Sequence, residues 1–433
     1  MPAPPQPAST AHTGATDTDT PPTDTEAPIR ATAHTGTNDT DSPGLPTADT
    51  GPTCGSIEHD VIGMQAYHQS GDGAGSWLER LEDGSLVVSR HGNELESPDR
   101  WFGRTSIIAV GPLDVLEDPD DDGYNGRILG QLGVPVGDVD GDSVEDVVIS
   151  VFEGIPTYGS LRRSMVFSGP FLPGNPVHVP YGVDEVGWDF DRCDVDADGL
   201  ADLCSVLGVA LAPPPFSAAA TFADALPEDR ILTDVTVAAH SGALFWRAGL
   251  QELQIVPYSS LPPAPGQTSE SLATLRQPIP DHVLQLQIAD VLPAPGDELV
   301  AVVEDQGLLG IVIRALAPGF LELERHLTCE PAPGRGALAI QDFDGDGTLD
   351  LAFSASSGRV AVMAGPPSST SDIVWWRSSG ISRPGFPFGF SLLPWDDGDL
   401  LVGHPGSEWV VPGASFLAQG EVFRIEDPLA TTP

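Results

Sequence analysis

Short runs of β-branched and apolar residues, rather than long amphipathic stretches, dominate the hydrophobic pattern beyond residue 53. Three of these runs, 147–150, 203–206 and 351–354, each follow an acidic turn, and a second short apolar run lies further along the chain in each case. Runs of this length beside turn residues predict β-strands. The pattern therefore predicts an all-β fold whose repeating unit contains a strand after a loop and then a partner strand.

Seven positions mark the start of the strand that follows the loop in each predicted repeat. Segment 234–249 is included because it aligns without gaps to 350–365. Units of about 50 residues with four short strands have the size of β-propeller blades. We therefore predict a seven-bladed β-propeller, or a six-bladed one if 209–233 is an insertion. The seven positions are Ser85, Asp146, Asp202, Asp234, Glu298, Asp350 and Asp399.

Three of the loops share one acidic template. Carboxylates stand at positions 1, 3, 5 and 9, and position 7 can add a backbone carbonyl. Hard oxygen ligands at this spacing are those of a calcium loop, although a strand follows here where an EF-hand enters a helix. The sequence therefore predicts about three Ca²⁺ sites. Their ligands are Asp138, Asp140, Asp142, Val144 and Asp146 in loop 1; Asp194, Asp196, Asp198, Leu200 and Asp202 in loop 2; and Asp342, Asp344, Asp346, Thr348 and Asp350 in loop 3.

Weaker copies of the template surround these three loops. The copy that ends at Glu298 has Leu292 and Ala294 at positions 3 and 5, so we expect it not to hold calcium. The copies at Ser85 and Asp399 have shortened loops and are interpreted as hairpins. The acidic segment 117–123 is interpreted as a solvated turn, with a fourth cation site as the alternative.

The repeats from 54 to 433 resemble the FG-GAP repeats of the integrin α N-terminal β-propeller and of related bacterial FG-GAP/VCBS proteins. The family's dipeptide stands at Phe388-Gly389, and its GAP position is occupied by Gly403-His404-Pro405. The resemblance implies calcium loops on one face of a propeller. It also implies a role in ligand binding or cell adhesion.

Residues 1–53 differ in composition from the rest of the chain. Thr, Asp, Pro, Ala and Gly predominate and large apolar side chains are nearly absent, so the segment cannot offset its ordering entropy by burial. We predict a disordered tether at 1–53 followed by a propeller domain at 54–433.

The charge balance limits the possible partners. The chain has 63 acidic and 19 basic residues, a formal net charge of −44, and every basic residue is Arg. Nucleic-acid backbones need a basic surface, so we expect no nucleic-acid partner. The acidity favours divalent cations, and a halophilic source is an alternative explanation for it.

The cysteines bear on the compartment. Cys193 and Cys204 flank loop 2 at the base of a predicted hairpin, so we predict a disulfide between them and an oxidising environment. The sequence leaves the pairing of Cys54 and Cys329 open. No apolar run is long enough to span a bilayer. We expect a secreted, cell-surface or periplasmic protein whose export signal lies upstream of this start.

Searches of the sequence for catalytic signatures fail: HExxH, GxSxG, GxGxxG and Walker A motifs are absent. We therefore predict that the chain is not an enzyme but a monomeric, calcium-stabilised module that binds an unidentified extracellular protein or glycan. The alternatives are a polysaccharide-active enzyme on a propeller scaffold and a structural surface spacer. A charged cluster in the central channel would favour the enzyme.

Overall fold

A computed structural model describes most of residues 57–429. The chain divides into two units, 1–51 and 52–433. The predicted tether and the acidic segment 117–123 lie outside the described residues. Short gaps occur throughout, and the longer ones are 93–101, 109–126, 154–160, 170–180, 185–189, 215–219, 379–387 and 405–419.

The described residues form 28 strands, one short α-helix, α1 (Ser269–Leu272), and one 3₁₀ turn (Tyr258–Ser260). The all-β class predicted from the sequence is confirmed. The strands are β1 (Ile57–Val61), β2 (Gln65–Gln69), β3 (Asp72–Arg80), β4 (Leu86–Gly92), β5 (Phe102–Ile108), β6 (Arg127–Gly137), β7 (Asp146–Glu153), β8 (Leu161–Phe167), β9 (Tyr181–Asp184), β10 (Phe190–Cys193), β11 (Asp202–Ser205), β12 (Gly208–Ala210), β13 (Ala220–Thr221), β14 (Arg230–Val237), β15 (His240–Arg247), β16 (Glu252–Pro257), β17 (Leu275–Pro278), β18 (His282–Ala289), β19 (Glu298–Asp305), β20 (Leu308–Ala315), β21 (Glu322–Pro331), β22 (Leu338–Gln341), β23 (Asp350–Ala355), β24 (Arg359–Met363), β25 (Ile373–Ser378), β26 (Ser391–Pro394), β27 (Leu400–His404) and β28 (Gly420–Ile425).

Consecutive strands pair antiparallel to form successive sheets. Strands β10–β13, β14–β17 and β18–β21 each form a four-stranded sheet. The N-terminal strands complete the C-terminal sheets, since β1 lies parallel to β25 beside β22–β24, and β2 lies antiparallel to β28 beside β26 and β27. A seven-stranded sheet consists of β3–β5 and β6–β9, joined by one parallel pairing between Gly103 and Ile128.

Contacts between the sheets follow chain order. Strands β3, β6, β10, β14, β18, β22 and β26 each contact the next strand of this series, and β26 contacts β3. These strands bring residues that are distant in sequence to one place. The number of blades stays a prediction.

The apolar core lies between neighbouring sheets. In β19, Leu299, Ala301 and Val303 pack into one cluster with side chains from β14–β17. Val300 and Val302, which alternate with them, pack into a different cluster with side chains from β22–β25. Because successive side chains of a strand point to opposite faces, such a strand is apolar throughout. This burial explains the short continuous apolar runs of the sequence.

One predicted strand start is misplaced. The other six marked positions begin or directly precede a strand that pairs antiparallel with the strand before it, whereas Asp234 lies inside β14, the first strand of its sheet. The strand that pairs with β14 there is β15, which begins at His240, three positions after β14 ends at Val237. A gapless alignment could not find this boundary because no acidic loop separates β14 from β15.

The predicted disulfide between Cys193 and Cys204 is confirmed, with Cα atoms 6.0 Å apart. Cys193 is paired with Asp202 across β10 and β11, so the bond lies at the base of loop 2. Cys329 is also disulfide-bonded, to a partner outside the described residues.

Among the described residues, no helix has the length and apolar character needed to cross a membrane.

Candidate metal centres and a central cavity

The structure brings together the carboxylates at positions 1, 3 and 9 of each acidic loop. Within each group the candidate ligand oxygens all lie within 4.8 Å of one another. The loops occupy equivalent places, joining β6 to β7, β10 to β11 and β22 to β23. The groups are Asp138, Asp140 and Asp146; Asp194, Asp196 and Asp202; and Asp342, Asp344 and Asp350.

The loops fold around their own carboxylates. In loop 1, Asp138 accepts hydrogen bonds from the backbone N–H groups of Gly141, at 2.6 Å, and Ser143, at 2.8 Å. Positions 4 and 6 have positive φ in all three loops, for example 73° at Gly345 and 89° at Gly347. Small residues are needed there because larger L-residues are strained in this conformation.

The position-5 carboxylates close the turn towards position 7. Asp142 accepts a hydrogen bond from the N–H of Val144 at 2.8 Å, and Asp198 accepts one from Leu200 at 2.9 Å. Thr348 donates its backbone N–H and its hydroxyl to Asp346. All three position-5 side chains are exposed and lie outside the close groups. The predicted position-5 side chains therefore lie outside the close groups, and the position-7 carbonyls stay a prediction.

The position-9 aspartates also organise the backbone. Asp350, which is fully buried, accepts hydrogen bonds from Phe343 at 2.7 Å and from Gly365, beyond β24, at 2.6 Å. Asp146 and Asp202 repeat the arrangement with Val139 and Gly169 and with Val195 and Ala212. Sequence reasoning missed this role. The sequence does contain a sign of this role, because an acid is retained at position 9 even in a loop whose positions 3 and 5 are not acidic.

Burial sets the electrostatics of these clusters. Desolvation raises the pKa of Asp146 to about 6, backbone N–H groups oppose the shift, and the charges of Asp140 and Asp142 add to it. The pKa values of Asp202 and Asp350 are raised for the same reasons. A carboxylate buried beside two others favours a cation that neutralises all three.

The loops with an incomplete template have other partners for their acids. Buried Glu298 accepts hydrogen bonds from Val291 at 2.9 Å and Leu292 at 3.3 Å. Buried Asp399 accepts one from the guanidinium of Arg424 at 2.6 Å. The acid is structural in both places, and at Asp399 an arginine supplies the positive charge.

Two residues of the predicted FG-GAP positions, Phe388 and His404, pack together in the core. Phe388 is fully buried, and its ring lies 5.5 Å from that of Phe423 and 6.2 Å from that of His404, all between ring centroids. Burial lowers the pKa of His404, which favours the neutral imidazole. These positions therefore serve packing in this chain.

A cavity of about 390 Å³ lies where the first strands of several sheets meet. Strands β3, β6, β10, β14 and β18 all contribute side chains to its wall. Charged and amide groups line it together with apolar side chains. The polar lining includes Glu79, Glu145, Arg192, Arg230 and Gln285. A cavity of this size and composition can hold a small polar ligand.

Asp191, which also lines the cavity, has a mainly structural position. Its carboxylate accepts hydrogen bonds from the backbone N–H groups of Thr233, at 2.8 Å, and Arg192, at 2.9 Å. Because Thr233 belongs to β14, the contact joins two neighbouring sheets. Asp191 therefore fixes the relative position of two strands of the cavity wall.

No protein-family model matches the chain, and no curated protein matches it. Solved structures with a similar chain course include a GH43 β-1,3-galactosidase with galactodeoxynojirimycin, at 10% identity and a TM-score of 0.30, covering 83% of this chain and 94% of that one. They also include a mutant of NanB sialidase from Streptococcus pneumoniae, at 11% identity and a TM-score of 0.38, covering 85% of this chain and 71% of that one.

Both of these similar proteins are enzymes, which contradicts the prediction that the chain is not an enzyme. That prediction is withdrawn. Both TM-scores lie below 0.5, and the sequence identities are 10% and 11%. The similarity therefore supports no substrate and no residue role for this chain.

Proposed function

We propose that the chain is a calcium-stabilised β-propeller that functions outside the cytoplasm. The observation that carries this proposal is the recurrence of one carboxylate cluster, from positions 1, 3 and 9, at the same place in three sheets. Separate solvated turns have no reason to converge on one geometry. Shared cation binding explains it.

The proposed blade number is seven. The seven strands that contact one another in series, from β3 through β26 and back to β3, would be the innermost strands of seven blades. The seven-stranded sheet would then represent two neighbouring blades joined at one parallel contact. The pairing of β2 with β28 would close the ring between the two ends of the chain.

Calcium is the proposed ion because every donor in the loops is oxygen and the acids stand at the spacing of a calcium loop. Two side chains of each cluster, such as Asp138 and Asp140, are wholly or partly exposed, whereas Asp146 is buried beneath them. A cation could enter from solvent and bind all three. The disulfide at the base of loop 2 supports the extracellular or periplasmic setting, in which both disulfides and millimolar calcium are usual.

Thermal unfolding in calcium, magnesium and chelator tests this proposal. A ligand that binds only the folded state at ten times its Kd adds about 1.4 kcal/mol per site. Calcium should therefore raise the melting temperature by several degrees and chelator should reverse the rise, whereas magnesium should act less strongly. Identical melting in calcium and in chelator would contradict the proposal.

We further propose that the protein acts on carbohydrate, in preference to the adhesion role. The cavity favours this second proposal because it combines carboxylates with arginine and amide groups at the meeting point of five strands. Two carboxylates beside a bound sugar are the groups that glycoside hydrolysis requires. Glu79 and Glu145 are the candidates for these roles.

Hydrolysis of chromogenic glycosides and plant and microbial polysaccharides tests the carbohydrate proposal. Glu79→Gln and Glu145→Gln should each lower kcat by at least about 100-fold, the usual contribution of an acid–base group. Glu324→Gln, on β21 and outside the cavity lining, is the matched control. Absence of hydrolysis across the panel, or activity unchanged in both cavity variants, would exclude this function.

A further inference from the structure

Glu145 belongs both to a candidate metal loop and to the cavity. It occupies position 8 of loop 1, directly before the buried position-9 ligand Asp146. It also lines the cavity wall. Because Glu145 is the residue next to Asp146, a shift of the backbone at position 9 is expected to shift the Glu145 carboxylate in the cavity wall.

The Glu145 carboxylate contacts the turn between β3 and β4, which in turn contacts β10 of the neighbouring sheet. Its Oε2 accepts a hydrogen bond at 2.6 Å from the N–H of Glu82, in the turn between β3 and β4. The Glu82 carboxylate in turn lies 3.7 Å from the guanidinium of Arg192 on β10. Arg192 lines the same cavity. A series of contacts therefore runs from Glu145 through Glu82 to Arg192, and its second contact is between exposed side chains.

Loops 2 and 3 lack this connection. Position 8 is Ala201 in loop 2 and Leu349 in loop 3, so neither side chain offers a charged group. Ala201 instead donates its N–H to the carbonyl of Asp138 at 2.9 Å, which supports loop 1 from behind. Loop 3 contributes no residue to the cavity lining. Loop 1 is therefore the metal loop that presents a carboxylate to the cavity.

We propose that the cavity binds a neutral sugar and that calcium in loop 1 controls this binding by fixing Glu145. The inference rests on the proposed calcium and carbohydrate functions. Without a cation, the clustered carboxylates of Asp138, Asp140 and Asp146 repel one another and loosen the loop. With a cation, position 9 is held and the adjacent Glu145 is preorganised for its ligand, which lowers the ordering cost of binding.

The lining charges favour a neutral ligand. Three carboxylates, from Glu79, Glu145 and Asp191, face two guanidinium groups, from Arg192 and Arg230. The chain as a whole has a net charge of −44, which adds repulsion towards anionic sugars. Sugar hydroxyls can donate to the carboxylates and accept from arginine and Gln285. The apolar part of the wall suits the less polar face of a sugar ring.

A glycan array identifies the sugar to be used as the probe. The array contains neutral gluco-, galacto-, manno- and xylo-oligosaccharides together with sialylated and uronate-containing ones. We expect a neutral oligosaccharide to bind in calcium. Calorimetry with that oligosaccharide should then show an affinity about tenfold or more lower in chelator, within the usual range of coupling between sites. Asp140→Ala should lose this calcium dependence and remain weak, whereas Asp344→Ala should lose one calcium yet retain the dependence.

Two further measurements separate loop control from general folding. Glu145→Gln keeps an oxygen for the Glu82 N–H and removes the charge, so it should weaken sugar binding and reduce its calcium dependence. Hydrogen exchange at the Glu82 amide should be slowed by calcium in Asp344→Ala and not in Asp140→Ala. This second readout needs no sugar.

The outcomes distinguish the inference from the proposals beneath it. If calcium does not bind, the proposed calcium function fails. If calcium binds and no sugar does, or only sialylated or uronate sugars do, the neutral-sugar site is excluded. If a neutral sugar binds equally in calcium and chelator, or loses its calcium dependence equally in Asp140→Ala and Asp344→Ala, control by loop 1 is excluded and both proposed functions stand.

Discussion

Substitution of Asp350 and Asp344, two acids of one candidate metal site, should have different effects on the metal-free protein. Asp350 is fully buried and accepts the N–H groups of Phe343 and Gly365. Asp344 is exposed. Asp350→Ala should therefore destabilise the protein even in chelator, whereas Asp344→Ala should remove only the stabilisation that depends on calcium.

The expected size follows from the hydrogen bonds. A buried N–H group left without an acceptor costs about 1–3 kcal/mol, which applies in full to Phe343. The Gly365 contact is only partly buried and adds less, so the two together cost about 2–5 kcal/mol. Burying the Asp350 carboxylate also costs free energy, as its raised pKa shows. The alanine variant removes this desolvation cost, which offsets part of the loss. We therefore expect a loss of about 2–4 kcal/mol for Asp350→Ala in chelator. Asp344→Ala should stay within about 0.5 kcal/mol.

Urea unfolding followed by tryptophan fluorescence, in chelator and in calcium, measures both effects. In calcium at ten times its Kd, Asp344→Ala should lack about 1.4 kcal/mol of the wild-type stabilisation. Asp350→Asn, which retains one acceptor oxygen, should lie between Asp350→Ala and the wild type. If Asp350→Ala is as stable as Asp344→Ala in chelator, Asp350 does not support the backbone as described.

Two further predictions concern charge. In chelator, the free energy of unfolding should fall as the pH rises from about 4 to about 6. The pKa of Asp146 is raised to about 6 in the folded protein, and the pKa values of Asp202 and Asp350 are also raised. In this pH range the folded protein therefore retains protons that the unfolded chain has released. Calcium binds the ionised carboxylates and should therefore abolish this loss of stability. Urea unfolding across the pH range, in chelator and in calcium, measures the effect. An equal loss of stability in calcium would contradict the prediction. Arg247→Met should cost about 3–5 kcal/mol because it leaves Asp229, 2.8 Å from Arg247 and almost fully buried, without its cation. The control Arg192→Met, at an exposed pair with Glu82, should cost about 1 kcal/mol or less, and equal losses in urea unfolding would refute the argument.

Local pattern was sufficient to predict the strands, the acidic clusters and one disulfide. Loop 2 shows why: its two cysteines and its acids lie within a dozen residues, so hairpin geometry alone brings them together. The same reasoning failed at Asp234, because no acidic loop separates β14 from β15 and the sequence holds no marker of the boundary. Where a boundary depends on pairing rather than composition, an alignment of short repeats cannot locate it.

Long-range features could not be predicted. The second hydrogen bond of Asp146 comes from Gly169, on the far side of a complete hairpin. The cavity combines residues from Glu79 to Gln287, and its wall depends on how five strands from four sheets meet. Buried ion pairs such as Arg247 with Asp229 are likewise formed between segments that no local motif connects. These features depend on the packing of the sheets.

Calcium stoichiometry tests the central claim most directly. Equilibrium dialysis of the full chain at millimolar calcium should give three bound ions per chain. Asp140→Ala, Asp196→Ala and Asp344→Ala should each reduce the number by one, since each removes a side chain from a different cluster. The isosteric Asn variants should give the same losses without altering the fold, whereas Leu292→Ala, in a loop that lacks the template, should leave all three ions bound. Absence of bound calcium, or a stoichiometry that no cluster variant reduces, would show that the three aspartate groups are not metal sites.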